Sequence, residues 1–307
     1  MTDEAAITGT DAPTEDKAWA LRVAAARGET TPISIMGWVR IITRSLMLLA
    51  LIIVMVPLHF LFRLVAYGSP FPMWFLRFAA RISGAKVKVE GTHLKRDVFY
   101  IANHVSWIDI LSLSGACGTA FVAKAELAKA PLVGWLADMN RTVYVKREHR
   151  MGVAQQINAL KEALADNWSV TVFPEGTTTD GQSLLPFKTS MLSVLEPPPP
   201  GVLVQPVLLD YGPVAEWIGW IGEEGGLNNA KRVLARKGTF DMRIVFLEPF
   251  SPADYVGRKA ISVEARRRIE EALLEALGKP LRDFAHDVPP VRYSAVKDDP
   301  VPDETAA

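Results

Sequence analysis

The stretch Asn103-His104-Val105-Ser106-Trp107-Ile108-Asp109 puts an imidazole, a hydroxyl and a carboxylate close together in sequence. An apolar run over 98–102 precedes it and a helix-like run over 108–113 follows. It therefore reads as a strand-to-helix turn, where α/β proteins commonly place chemistry. On one continuous helix, residues five apart would lie roughly 140° apart and could not touch. His104 and Asp109 meet only if His104 lies in the turn and Asp109 in the first helical turn. Ser106 is then the expected N-cap and Asp109 its capping-box partner. An Asp bonded to one imidazole nitrogen fixes the tautomer and leaves the other nitrogen as a general base. No obvious side-chain nucleophile accompanies the pair, so the attacking hydroxyl is expected to come from the substrate. The same Ser-x-x-Asp string is also an ordinary helix cap, and the pair alone does not decide the matter.

A second stretch, Phe173-Pro174-Glu175-Gly176-Thr177-Thr178-Thr179-Asp180-Gly181, ends another apolar strand in a tight turn. Its Gly and Thr residues offer N–H and hydroxyl donors to an anion or a hydroxyl. Glu175, acceptor-only when ionised, would pair with an Arg or bind a hydroxyl. Between the two stretches, Arg147 leaves a strand at its carboxyl end and suits bidentate phosphate recognition. Lys188 could add a point charge.

These residues need a scaffold that delivers them to one edge. From 86 onward, short strands alternate with helices, which predicts an α/β fold with a mostly parallel central sheet flanked by helices. The expected strands are 86–90, 98–102, 119–123, 142–146, 169–173, 202–208 and 241–247. Helices are expected over 153–165 and 262–277. Four prolines at 197–200 read as a stiff connector. Upstream, the apolar run 46–62 would span roughly 25 Å as a helix, short of a bilayer core of about 30 Å. After a Gly68-Ser69-Pro70 turn comes an amphipathic segment with Arg77 and Arg81 on one side. The pair predicts a membrane-associated helical hairpin sunk into one leaflet, with a single span as the other reading. The expected organisation is a flexible tail over 1–32 holding a short helix near 17–26, the hairpin over 33–84, a catalytic domain over 85–285, and a loose tail over 286–307.

The 307 residues carry zero formal net charge, which gives no global basic field for nucleic acid. One cysteine, Cys117, excludes an intrachain disulfide and a cysteine-built metal site.

Together the stretches resemble the glycerolipid acyltransferase family, the PlsC-type lysophosphatidic acid acyltransferases. Asn-His-x-Ser-Trp-x-Asp at 103–109 and Phe-Pro-Glu-Gly-Thr at 173–177 carry the resemblance, which extends over 86–207. The family's middle block ends in an Arg that falls on Arg147, while its usual earlier Gly is Arg141 here. The resemblance implies a glycerol-3-phosphate acyltransferase-like fold and transfer of a fatty acyl group from acyl-CoA or acyl carrier protein to a lysolipid hydroxyl. His104 would be the base and Asp109 its orienter, with no metal, no cofactor and no acyl-enzyme. Asn103, Ser106, Arg147, Glu175, Gly176, Thr177 and Lys188 would bind substrate. It further implies a bacterial inner membrane location with the catalytic domain on the cytoplasmic side. Lysophosphatidic acid is the first expected acceptor. Thr178 stands where many members carry Arg or Ser, a departure shared with lyso-ornithine lipid acyltransferases, so lyso-ornithine lipid is the alternative. A membrane-bound esterase or thioesterase is the competing class.

Overall fold

The computed structural model describes residues 15–66, 68–124, 131–145 and 169–284. Seven strands form one sheet: β1 (Ala85–Glu90), β2 (Val98–Ala102), β3 (Ala120–Lys124), β4 (Val143–Val145), β5 (Ser169–Val172), β6 (Leu203–Asp210) and β7 (Phe240–Phe246), in the order β1-β7-β6-β2-β5-β3-β4. All neighbours are parallel except β6 and β7. Every expected strand is present, with ends moved by one or two residues. The expected helix over 153–165, Arg147 and the tail from 286 lie outside the described residues.

β2 is buried along its whole length because both faces of the sheet are covered. Its alternation still separates two cores. Phe99 and Ile101 point into one, with Val170, Val172, Leu192 and Ile269. Val98, Tyr100 and Ala102 point into the other, with Ile108, Leu113, Phe121 and Met242. The first core lies under α8 (Gly257–Leu277), whose inward residues include Ile261, Ala265, Ile269 and Leu273. The second lies under α4 (Ile108–Cys117) and α3 (Phe71–Ile82). Val98↔Ser169 through Ile101↔Val172 align β2 with β5 in parallel, so both chemistry-bearing turns leave the sheet side by side at its carboxyl edge.

Two features shape the N-terminal region. α1 (Glu15–Ala26), at the place of the short helix expected near 17–26, is docked on the domain. Arg22 is only 2% exposed and donates to the carbonyls of Glu216 and Gly219 and to Glu224. Burial, then the neighbouring Arg232, pulls its guanidinium down to about 10. Next, α2 (Ile35–Arg63) is far longer than the expected apolar run, about 43 Å at 1.5 Å per residue. Its first turns were hidden from a hydrophobicity reading by Arg40 and Arg44. These side chains donate to the terminal carbonyls of α7 (Gly226–Ala235) and to Gly238, where a helix C-terminus favours cations. At the other end of α2, His59 meets Ser69 at 2.9 Å and Phe62 packs edge-on to Phe71. α3 buries Leu76, Ala79 and Ala80 against the domain and leaves Trp74 and Phe78 exposed. Its backbone comes so close to α4 that a Cβ on Gly115 would lie 2.6 Å from the Arg77 nitrogen.

Candidate active site

β2 ends at Ala102 and the chain turns through residues 103–107 before α4 begins. The structure brings His104 and Asp109 together: Nδ1 lies 2.8 Å from Oδ2. A carboxylate only accepts, so Nδ1 carries the proton and Nε2 presents a lone pair. No described residue bonds Nε2, and the His104 side chain is 18% exposed. The ring stacks on Phe173 at 4.1 Å between centroids and 11° between planes. Phe173 stacks in turn on Phe121.

Asp109 is fully buried. Besides the imidazole, Oδ2 accepts from the backbone N–H groups of Val105 at 2.7 Å and Ser106 at 2.9 Å. Oδ1 accepts from the Tyr211 hydroxyl at 2.5 Å. Four donors on one buried carboxylate fix its orientation. Tyr211 was not anticipated. It follows β6, the other neighbour of β2, and no local spacing connects it to Asp109. Its own hydroxyl is driven far above the ordinary range by burial and by the Asp109 charge. α4 starts at Ile108 with Trp107 at the cap position and no side-chain cap bond there. The expected capping box is half present: Asp109 accepts from the Ser106 N–H, and Ser106 Oγ takes the Ile108 N–H at 3.4 Å.

The second stretch acts first on the backbone of His104. Glu175 Oε1 accepts the His104 N–H at 2.8 Å, and the Thr179 N–H donates to the His104 carbonyl at 2.8 Å. Thr178 Oγ1 donates to the Trp220 carbonyl, and the Trp220 N–H donates to the Val105 carbonyl at 3.0 Å. The 213–237 segment, which holds the short α6 (Ala215–Ile218), therefore packs on the turn through Trp220. Trp107 Nε1 donates to Asn229, which bonds the buried Glu224 of the Arg22 cluster. The loop bearing the imidazole is braced from three sides.

Three residues expected to contact substrate are spent internally. Asn103 continues the β2–β6 ladder, donating to the Leu209 carbonyl at 3.0 Å and accepting its N–H at 2.7 Å. Ser106 is fully buried. The two oxygens of Glu175 take the N–H groups of His104 and Leu185, and the residue is 1% exposed. The physical reason is common to all three: a turn leaving a buried sheet strands backbone groups that need partners. Gly176, Thr177 and Lys188 remain half-buried at the carboxyl edge. Gly176 has φ 73°, and a Cβ there would lie 2.8 Å from Lys188 Nζ, so the ammonium rests over the glycine.

Burial raises the Glu175 carboxyl from 4.5 to about 8, with the Asp109 charge adding to the rise and the two N–H bonds opposing it. Folding thus favours its protonated form. Between about 4.5 and 8 the folded chain binds more protons here than the unfolded chain, so this group's contribution to stability falls as pH rises through that window. Glu175→Gln is expected to flatten this pH slope in thermal unfolding while retaining an oxygen for the His104 N–H. An unchanged slope in the variant would remove Glu175 as its source.

With this geometry in view, the relatives become informative. A family model described as Acyltransferase matches residues 86–210. The lyso-ornithine lipid O-acyltransferase of Rhizobium meliloti (strain 1021) is 32% identical over 284 residues, covering 86% of this chain and 96% of that protein. The chain belongs to the PlsC-type acyltransferase family. A protein of the same name from Brucella abortus (strain 2308) is 30% identical over 78% of this chain and 96% of its own length. The 1-acyl-sn-glycerol-3-phosphate acyltransferase of Neisseria gonorrhoeae is 36% identical, but over 31% of this chain and 37% of its own. The crystal structure of PlsC from Thermotoga maritima shares the fold, with a TM-score of 0.59, 22% identity, and coverage of 78% of this chain and 96% of that one. The enzyme is therefore an O-acyltransferase acting on lysolipids. Within this family the fully buried Ser106 has no route to a substrate as nucleophile. Cys117 lies at the opposite edge of the sheet, away from His104, and burial pushes its thiol up to about 12.

Proposed function

We propose that the enzyme moves a fatty acyl group from an acyl thioester, acyl-CoA or acyl carrier protein, to the free hydroxyl of lyso-ornithine lipid. The observation that carries the chemistry is the 2.8 Å His104 Nδ1–Asp109 Oδ2 bond, with Nε2 bonded to none of the described residues. His104 Nε2 takes the acceptor's hydroxyl proton as the oxygen attacks the thioester carbonyl. The tetrahedral adduct collapses, the C–S bond breaks, and the leaving thiolate recovers the proton from Nε2. Asp109 holds the imidazole and offsets the charge it gains. Gly176, Thr177 and Lys188 face the acceptor head group from the same edge, with Arg147 assigned there by sequence.

Two observations favour lyso-ornithine lipid over the first-expected lysophosphatidic acid. Two relatives named for lyso-ornithine lipid match in sequence over 96% of their own length, whereas the sequence match to the glycerophosphate enzyme of Neisseria gonorrhoeae covers 37% of its length. Position 178 offers no cation for a phosphate, since Thr178 is buried and bonded to Trp220. The expected result is a kcat/KM for lyso-ornithine lipid at least about tenfold above that for 1-acyl-sn-glycerol-3-phosphate, equivalent to about 1.4 kcal/mol. The opposite ranking returns the assignment to lysophosphatidic acid. Free fatty acid without diacylated product would favour the hydrolase reading.

The membrane reading rests on α2 and α3. α2 is long and apolar enough to cross a bilayer, and its exposed stripe includes Ile42, Leu46, Leu49, Ile53 and Phe60. Yet its first turns bind α7 and its last turns share a cavity wall with Leu136 and Met139 of α5 (Pro131–Met139). A helix tied at both ends to one domain cannot leave it across a bilayer. This favours the hairpin lying in one leaflet. We assign that leaflet to the cytoplasmic side of a bacterial inner membrane, where acyl thioesters are available.

A further inference from the structure

An open cavity of about 890 Å³ lies at the amino edge of the sheet, away from His104. The placement follows from its walls. Lys95 and Arg96 precede β2, Cys117 and Gly118 precede β3, Arg141 precedes β4, and Ser169 opens β5. His104 and Glu175 follow the other ends of β2 and β5, roughly 17 Å away along a five-residue strand. The cavity and the candidate active site are therefore separated by the sheet itself.

Four cations from three places in the fold line it: Arg63 in the last turn of α2, Lys95 and Arg96 in the β1–β2 connection, and Arg141 at the turn into β4. Arg63 and Lys95 are exposed side chains on this wall, and Arg96 and Arg141 add two guanidinium groups to the same lining. Asp138 is the one carboxylate on the same wall among the described residues, and it accepts from the Tyr144 hydroxyl. The apolar rim is as informative as the charge. Phe60 is 51% exposed and Trp135 is 40% exposed, and both line the opening beside the exposed Leu61, Leu64 and Val65.

We propose that this cavity receives the phosphate-bearing head group of an anionic membrane phospholipid, as a binding site separate from the acceptor site. The proposal rests on the hairpin's lying in the membrane surface, because that places α2's last turn, the aromatic rim and the cations at the depth of the head groups. A lipid is favoured over a free phosphate compound because the cations sit next to an apolar shelf that acyl chains can cover.

The test uses the full chain and two vesicle compositions, phosphatidylcholine alone and phosphatidylcholine with phosphatidylglycerol. The full chain is expected to bind both and to prefer the anionic one. Each cation near an anionic surface contributes about fivefold in binding, so Arg63→Gln with Lys95→Gln should cut the preference by about 25-fold. A control pair away from the cavity, Lys259→Gln with Lys279→Gln, should leave it within about twofold. Quenching of Trp135 by head-group-labelled phosphatidylglycerol, read as the difference from Trp135→Phe, should disappear in the cavity double variant. Failure of the full chain to bind any vesicle would overturn the membrane placement on which the proposal rests. Equal binding to both compositions, or an equal loss in the control pair, would overturn the cavity alone. Displacement of the quenching by soluble glycerol 3-phosphate as readily as by lipid would replace the lipid with a small phosphate ester.

Discussion

His104→Ala is expected to lower kcat by about 10² to 10⁴ while leaving the protein folded and bound to membranes. The fold should survive because the turn is held through the backbone of residue 104, which alanine retains. Its N–H still reaches Glu175 and its carbonyl still accepts from Thr179. Asp109 loses one of four donors and keeps Val105, Ser106 and Tyr211. The ring's stacking on Phe173 is lost, but Phe173 keeps its place in the second core and its own stacking on Phe121. The measurement is acyl transfer at saturating donor and acceptor, with far-UV circular dichroism and vesicle flotation as controls. Turnover within about tenfold of the unaltered enzyme would overturn the base assignment. A fallen kcat with an unfolded chain would instead show that the ring carries the turn.

What the sequence made legible follows from how local each interaction is. β2 could be bounded to the residue because five apolar side chains in a row fit a strand covered on both faces. The His104–Asp109 contact was legible because one turn places both groups. Glu175 misled for the opposite reason. Its type suggests a ligand for cations or hydroxyls, but its partners are two backbone N–H groups, one of them 71 residues earlier in the chain. Tyr211 was hidden because it reaches Asp109 only through the β2–β6 pairing, which spacing does not encode. Arg22, Arg40 and Arg44 carry no local signal of their partners. Each is instead bonded to carbonyls nearly two hundred residues away. The polar residues of this chain were assigned functions by type, and long-range pairing gave several of them structural work.

Substitutions at Asp109 separate the orienting role from the electrostatic one. In the Ser-His-Asp protease triad an Asn in place of the Asp gives the wrong imidazole tautomer and costs about 10⁴ in rate. Here the geometry forbids that flip. The Oδ2 position faces two backbone N–H groups as well as His104 Nδ1, so an Asn must place its carbonyl oxygen there. Its amide nitrogen then faces Tyr211, whose hydroxyl can rotate and accept. Asp109→Asn should therefore keep the Nδ1–H tautomer and lose only the negative charge that offsets the imidazolium. The expected loss in kcat is about 10², with KM nearly unchanged. Asp109→Ala removes the acceptor for three buried donors besides the ring, at about 1–3 kcal/mol each before relaxation. It should match His104→Ala in activity and also lower the unfolding temperature. Were Asn as damaging as Ala in rate while leaving stability intact, the tautomer would have flipped, and the backbone N–H pair would not be the clamp that fixes this carboxylate.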